Sequence, residues 1–199
     1  MEIFIVRHGE TLWNREKRIQ GSADIELSDY GRELAQKTAE GMKDIRFDRI
    51  ISSPLVRAQE TAKILRGSRN VPVETDPRIK EMSFGIYEGC VLSETPGLQL
   101  FFDDPENYRA PEGGEVFREL LDRTADFMKN TVEPMAAAHD TERLLIVSHG
   151  AAISAIMCYV RQMGIRDFWS SGLCKNCGAH VLKLDENGYE IIEESRIYY

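Results

Sequence analysis

No apolar run in this chain approaches the ~20 residues that a membrane-spanning helix requires. Basic charge is also short. Twenty-five Lys and Arg against 33 Asp and Glu give 25 − 33 = −8. That balance, with a pI near 5.1, argues against partners that need a broad basic face, so neither nucleic acid nor a membrane surface is expected. The opening residues MEIFIVRHGE carry no basic leader, so no secretory signal is expected and the protein is expected in the cytoplasm. Cysteine is sparse, at Cys90, Cys158, Cys174 and Cys177. A structural zinc site needs four ligands, and Cys90 and Cys158 lack paired spacing. Cys174 and Cys177 are therefore read as small, partly buried residues leading into a strand, and His180 as a strand residue beyond them. There is no GxxxxGK[ST] loop and no carboxylate cluster for Mg²⁺, which excludes the usual nucleotide machinery. Neither a metal nor another cofactor is expected. Repeats, low-complexity tracts and linkers are missing too, so residues 1–199 are expected to form one domain.

What the chain does contain is alternation. Glu2–Val6 reads as a strand, and Ser28–Met42 as a helix capped by Ser28. Phe47–Ser52 is a second strand. Ser53-Pro54 then offers a capping hydroxyl and a proline to open a helix that runs to Leu65. Val71–Glu74 is a short third strand. Residues 85–114, rich in Gly and Pro, form a loop-rich insertion with a short helix at Leu98–Phe102. Glu115–Ala138 has the periodicity of one long amphipathic helix. Arg143–Ser148 is a buried strand, followed by a helix over Ala151–Met163. Strands at Gly178–Leu184 and Tyr189–Arg196 close the chain, joined through Asn187-Gly188. The expectation is a three-layer α/β sandwich with a mixed, mostly parallel sheet.

In such sheets ligands bind beyond the carboxyl ends of the strands. Here the first strand ends in Arg7-His8-Gly9, the second in Ser52-Ser53-Pro54 with Arg57 close behind, and the fourth in Ser148-His149-Gly150. Taken singly, each residue would more often be incidental. Together, two arginine forks suit phosphate oxygens. A neutral imidazole can attack phosphorus, and a second can donate to its oxygens. The set describes a phosphoryl-transfer pocket built from protein cations.

Arg7-His8-Gly9-Glu10-Thr11 with Trp13-Asn14 strongly resembles the signature of the histidine phosphatase superfamily, the phosphoglycerate mutase-like fold. The resemblance continues through Gly21, Asp24, Leu27, Ser28 and Gly31, through Ser52-Ser53-Pro54-Leu55, Arg57-Ala58 and Thr61-Ala62, through Glu81, Gly85 and Glu88-Gly89, and through Ser148-His149-Gly150. It implies that His8 is the nucleophile that becomes phosphohistidine and that Arg7, Arg57 and His149 hold the phosphoryl group. Asn14, Gln20, Gly21 and Gly150 complete the implied phosphate site. Glu81 would protonate the leaving oxygen, with Glu88 as the substitute candidate. A small phosphomonoester is the implied substrate, inorganic phosphate the product, and a homodimer a common family assembly. The chain departs from the family's pattern at Glu26, where proline is frequent, near Ser154, where many members carry Arg, and near Ala151, where mutases tend to carry Asn.

Three readings of the activity differ in what they need. A 2,3-bisphosphoglycerate-dependent phosphoglycerate mutase needs basic residues in the insertion. Phe101–Glu115 instead holds Asp103, Asp104, Glu106, Glu112 and Glu115 against Arg109. An acidic cover over the site would oppose a doubly anionic ligand. Phe101, Phe102 and Tyr108 are expected either to contact an apolar leaving group or to form a cluster that holds the insertion down. A non-catalytic binding module would lack His8, Arg57, Glu81 or His149, and none is missing. The favoured reading is a metal-independent phosphomonoester hydrolase, similar to the small broad-specificity or α-ribazole phosphatase-like members.

Overall fold

A computed structural model describes all residues, 1–199. Strands β1 (Glu2–Arg7), β2 (Arg49–Ser52), β3 (Val73–Thr75), β4 (Arg143–Ser148), β5 (Ala179–Asp185) and β6 (Gly188–Arg196) form one sheet, in the order β3-β2-β4-β1-β5-β6. β1, β2, β3 and β4 pair in parallel, while β5 and β6 add an antiparallel edge. This is the mixed, mostly parallel sheet the sequence predicts.

The strands are apolar on both faces because both are covered. Along β1 and β4, Ile3, Ile5, Leu144 and Ile146 pack on one side with Phe127, Val132 and Ile156. Phe4, Val6, Leu145 and Val147 pack on the other with Ala58, Ala62 and Leu65. The first side carries helices α5 (Phe117–Phe127), α6 (Glu133–Ala138) and α7 (Gly150–Arg161). The second carries α3 (Val56–Arg66), with α2 (Asp29–Gly41) alongside it. Ser28 caps α2 as expected, accepting from Gly31 N at 3.0 Å. Two short helices, α1 (Leu12–Arg15) and α4 (Gln99–Asp103), lie in the connections. A separate apolar cluster built on Phe84, Leu98, Phe101, Tyr108 and Phe117 packs the insertion against Ala151 and Ala155 of α7.

Two local expectations change. Ser53 does not cap α3, because Leu55 stays extended (ψ 138) and the helix begins at Val56. Asp24 reaches over from the preceding loop and accepts from Val56 N at 2.7 Å, so the shifted start finds a cap elsewhere. The long helix over 115–138 is interrupted by a wide turn at Met128–Val132. Pro134 has no N–H for the carbonyl of Asn130, four residues back, and the wide turn falls there. In the closing hairpin Glu186 and Asn187 form the tip, while Gly188 takes the left-handed φ of 101°.

Candidate active site

Strand register brings the site together. β1 pairs with β4 so that Arg7 lies opposite Ser148, and the next residues, His8 and His149, emerge side by side. Their ring centroids are 5.1 Å apart. β2 flanks β4 on its other side, and its exit leads to Ser53 and Arg57. A cavity of about 380 Å³ opens over these strand ends. Arg7, His8, Asn14, Gln20, Gly21, Arg57, Glu81 and Gly150 line it.

His8 is buried, and its Nδ1 lies 2.6 Å from the Gly9 carbonyl. A carbonyl only accepts, so Nδ1 carries the proton and Nε2 keeps its lone pair. Thr61 Oγ1 fixes the turn by accepting from Gly9 N at 3.0 Å. Burial, then the charges of Arg57 and Arg7, hold His8 well below the ordinary histidine range. The ring is therefore neutral near pH 7, the form a nucleophile needs. His149 is wholly buried and does not line the cavity. It stands behind His8, with Nε2 2.7 Å from Ser53 Oγ and Nδ1 buried without a protein partner. Burial and Arg57 also push His149 well below the usual range.

The arginines are tethered by carbonyls, not carboxylates. Arg7 donates to Cys174 O at 2.7 Å, and Arg57 donates to Ala23 O and Gly21 O, both at 2.7 Å. Burial lowers Arg57 to about 10, opposed by Glu81 and Asp24, so it stays cationic at neutral pH. The Nε of each arginine is buried with no partner in the protein. Unpaired buried donors are costly, and donors gathered around one cavity suit an anion.

Glu81 enters from the segment after β3. Its carboxylate accepts from Ala151 N and Ala152 N, each at 3.1 Å, in the first turn of α7. Arg123 of α5 fixes that segment by donating to the carbonyls of Arg78, Lys80 and Glu81, while pairing with Glu115 at 2.6 Å. Glu88 does not line the cavity. Its Oε1 accepts from Ser22 N at 2.8 Å and Phe84 N at 3.0 Å, a buckle between two loops. Gly21 must be glycine beside it, since φ is +54° and a Cβ would lie 2.2 Å from Glu88 Oε1.

The insertion is used differently from the sequence expectation. Phe101 and Phe102 line the cavity together with Phe84, Leu92, Leu98 and Trp169, whereas Tyr108 is buried in the cluster behind. The expected cluster that holds the insertion down is present, and Phe101 and Phe102 also form part of the cavity wall. The acidic cover is not found: Asp103, Asp104, Glu106, Glu112 and Glu115 all lie away from the cavity wall. The charges added there are Lys17 and Arg18. Leu98, Phe101 and Tyr108 of the insertion turn inward to the cluster, and its acids turn to solvent or, for Glu115, to Arg123.

Sequence reasoning also missed the segment between α7 and β5. Leu173 lines the cavity, and a Cβ on Gly150 would meet Leu173 Cδ1 at 2.7 Å. Asn176 donates to His8 O at 3.0 Å and approaches Asn14 Oδ1 at 3.4 Å. Asn14 Oδ1 also accepts from Thr11 N at 3.0 Å, which leaves the Asn14 amide N–H groups for a ligand. A signal was present, since a strand antiparallel to β1 must begin beside the end of β1. The thiols of Cys174 and Cys177 are buried, and burial raises them to about 11 and about 12.

Residues 3–195 match the model of the histidine phosphatase superfamily, branch 1. The chain belongs to that superfamily. It is 34% identical over 179 residues to the uncharacterized phosphatase PhoE of Bacillus subtilis, covering 90% of this chain and 86% of that one. It is 32% identical over 162 residues to the probable phosphoglycerate mutase GpmB of Erwinia tasmaniensis, covering 79% and 73%. Among solved structures, a mycobacterial glucosyl-3-phosphoglycerate phosphatase in complex with VO3 superposes with a TM-score of 0.85 at 26% identity, covering 96% and 97%. Family and neighbours make this chain an enzyme of the phosphatase type.

Proposed function

We propose that the protein is a metal-independent phosphomonoester hydrolase that acts on small metabolites through a phosphohistidine on His8. The observation that carries this reading is the pairing of a neutral, Nδ1-anchored His8 with Arg7, Arg57 and Glu81 in one cavity with a largely apolar outer wall. His8 Nε2 attacks phosphorus as the ester P–O bond breaks. Arg7, Arg57, Asn14 and Gln20 hold the phosphoryl oxygens, and His149 supports His8 from behind. Glu81 gives its proton to the leaving oxygen. Water then attacks the phosphohistidine, the P–N bond breaks, Glu81 takes the proton back, and inorganic phosphate leaves.

The outer wall favours hydrolysis over phosphoglycerate interconversion. A glycerate body is short and carries no apolar group to set against Leu92, Leu98, Phe101, Phe102 and Trp169. A glucosyl-3-phosphoglycerate phosphatase of the same fold is in complex with VO3, which supports a phosphatase reading of this chain.

The test is p-nitrophenyl phosphate with and without EDTA, followed by acid and alkaline quench of labelled enzyme. Metal-independent release with an acid-labile, base-stable adduct on His8, absent in His8→Ala, is the expected result. An adduct on another side chain overturns the mechanism. Turnover of phosphoglycerate only, primed by 2,3-bisphosphoglycerate, identifies a mutase, and no turnover of any ester identifies a binding module.

A further inference from the structure

The cavity contains one cation that neither the fold nor the phosphoryl site uses. Arg7 and Arg57 are committed to carbonyls at the inner end. Arg18 is committed to Gly89 O at 2.8 Å and to Glu16 at 2.6 Å. Lys17 lines the same cavity but is itself exposed, so it stands at the mouth, and its ammonium makes neither a salt bridge nor a hydrogen bond with the protein.

The backbone holds it there. Lys17 has φ of 54°, a left-handed conformation that glycine adopts freely and lysine does not. Of the five non-glycine residues with positive φ, it is the only one on this cavity wall. Its own N–H donates to Asn14 O at 3.1 Å, and its carbonyl accepts from Leu92 N at 2.9 Å. Arg18 forms a bridge with Val91 of the insertion. The Lys17 backbone is therefore fixed beside Leu92, a residue of the apolar wall. From Gly21, whose carbonyl holds Arg57, the chain runs four residues to Lys17, at most roughly 13 Å. The same wall presents Leu92, Leu98, Phe101, Phe102 and Trp169, a lining that suits an apolar or aromatic body.

We infer that the preferred substrate is a phosphomonoester whose alcohol has an apolar or aromatic body ending in a carboxylate, and that Lys17 is the residue that recognises this carboxylate. This deepens the hydrolase reading and rests on it for the phosphoryl end. A single ammonium matches a carboxylate's single charge, whereas a second phosphate, a dianion, would call for further donors. The insertion's acids do not interfere, because none lines the wall.

Binding of non-hydrolysable phosphonates tests the inference independently of turnover. Calorimetry would compare benzylphosphonate with 4-carboxybenzylphosphonate on the wild-type enzyme, Lys17→Met and Lys17→Glu. The expected preference of the wild type for the carboxylated ligand is about 3–10-fold at low salt, the range of a partly exposed charge-assisted contact. It should shrink at 0.5 M salt, fall to near unity in Lys17→Met and reverse in Lys17→Glu. Equal preference in all three proteins overturns the role of Lys17. A wild-type preference for benzylphosphonate over its carboxylated analogue overturns the substrate class. Failure of the hydrolase reading would show separately, as carboxylate preference in binding without release of phosphate from phenyl phosphate.

Discussion

Arg57 shows how one side chain can serve both fold and chemistry. Two of its nitrogens hold Gly21 and Ala23, its charge lowers both histidines, and it faces the phosphoryl end. An ammonium has no planar fork with which to keep those contacts together. Arg57→Lys should therefore fall within about threefold of Arg57→Ala, with both some 10²–10³ below wild type in kcat/KM on p-nitrophenyl phosphate. A lysine variant with most of the activity would show that charge alone suffices. Asn176 makes a narrower case. It acts through His8 and Asn14, so it is a positioning residue. Asn176→Ala should lower kcat about tenfold and weaken vanadate binding while Tm falls by only a few degrees. Asn176→Asp should do no better, because a carboxylate cannot donate to the His8 carbonyl. Unchanged kcat with a large loss of Tm would make Asn176 purely structural. The places of His8, Arg7 and Arg57 were legible because strand ends and motif residues coincide, and that of Glu81 only through the family resemblance. Asn176 and Lys17 were not, because their use depends on which segments cross the mouth.

At the scale of elements, Glu81 depends on a connecting segment that holds only one 3-10 turn, Pro77–Ile79. Arg123 clamps three of its carbonyls from α5, and α7 supplies two N–H groups to the carboxylate. Arg123→Met should reproduce part of the effect of Glu81→Gln. Both variants should lose about tenfold more rate on an alkyl phosphate than on p-nitrophenyl phosphate, because a poor leaving group needs the proton most. Equal loss on both esters would remove Glu81 as the acid and Arg123 as its support. The helix that carries Arg123 was readable from its apolar stripe. Its wide turn at Met128–Val132 was not, because periodicity is blind to one inserted residue. The start of α3 was misplaced for a similar reason, since its acceptor, Asp24, comes from a distant loop.

Across the molecule, three buried histidines, His8, His149 and His180, sit below their ordinary value, chiefly through burial. Unfolding returns each to about 6.5, so below that pH the unfolded chain binds protons that the native state refuses. Stability then rises with pH between the native values and about 6.5, and is lost as pH falls through about 6.5. His8 and His149, the two held well below, give a limiting slope of ~3 kcal/mol per pH unit, to which His180 adds in the same direction. Tm should be level near pH 7–8 and drop steeply by pH 5.5. A flat profile down to pH 5 would mean that the rings take up protons without unfolding.

Alternating apolar segments determined, from sequence alone, that a sheet would be covered on both faces, and motif residues at three strand exits marked where chemistry would gather. That reading works because backbone hydrogen bonding and burial act along short stretches of chain. Tertiary structure alone decided the sign of charge at the mouth. The five insertion acids are close in sequence to the site aromatics, yet Phe101 and Phe102 face the cavity while the acids face solvent or Arg123. The charge felt by a substrate is set by which side chains point inward, and that follows from burying the apolar ones against α7. Composition counts all charges equally, whereas the cavity presents Lys17 and Arg18.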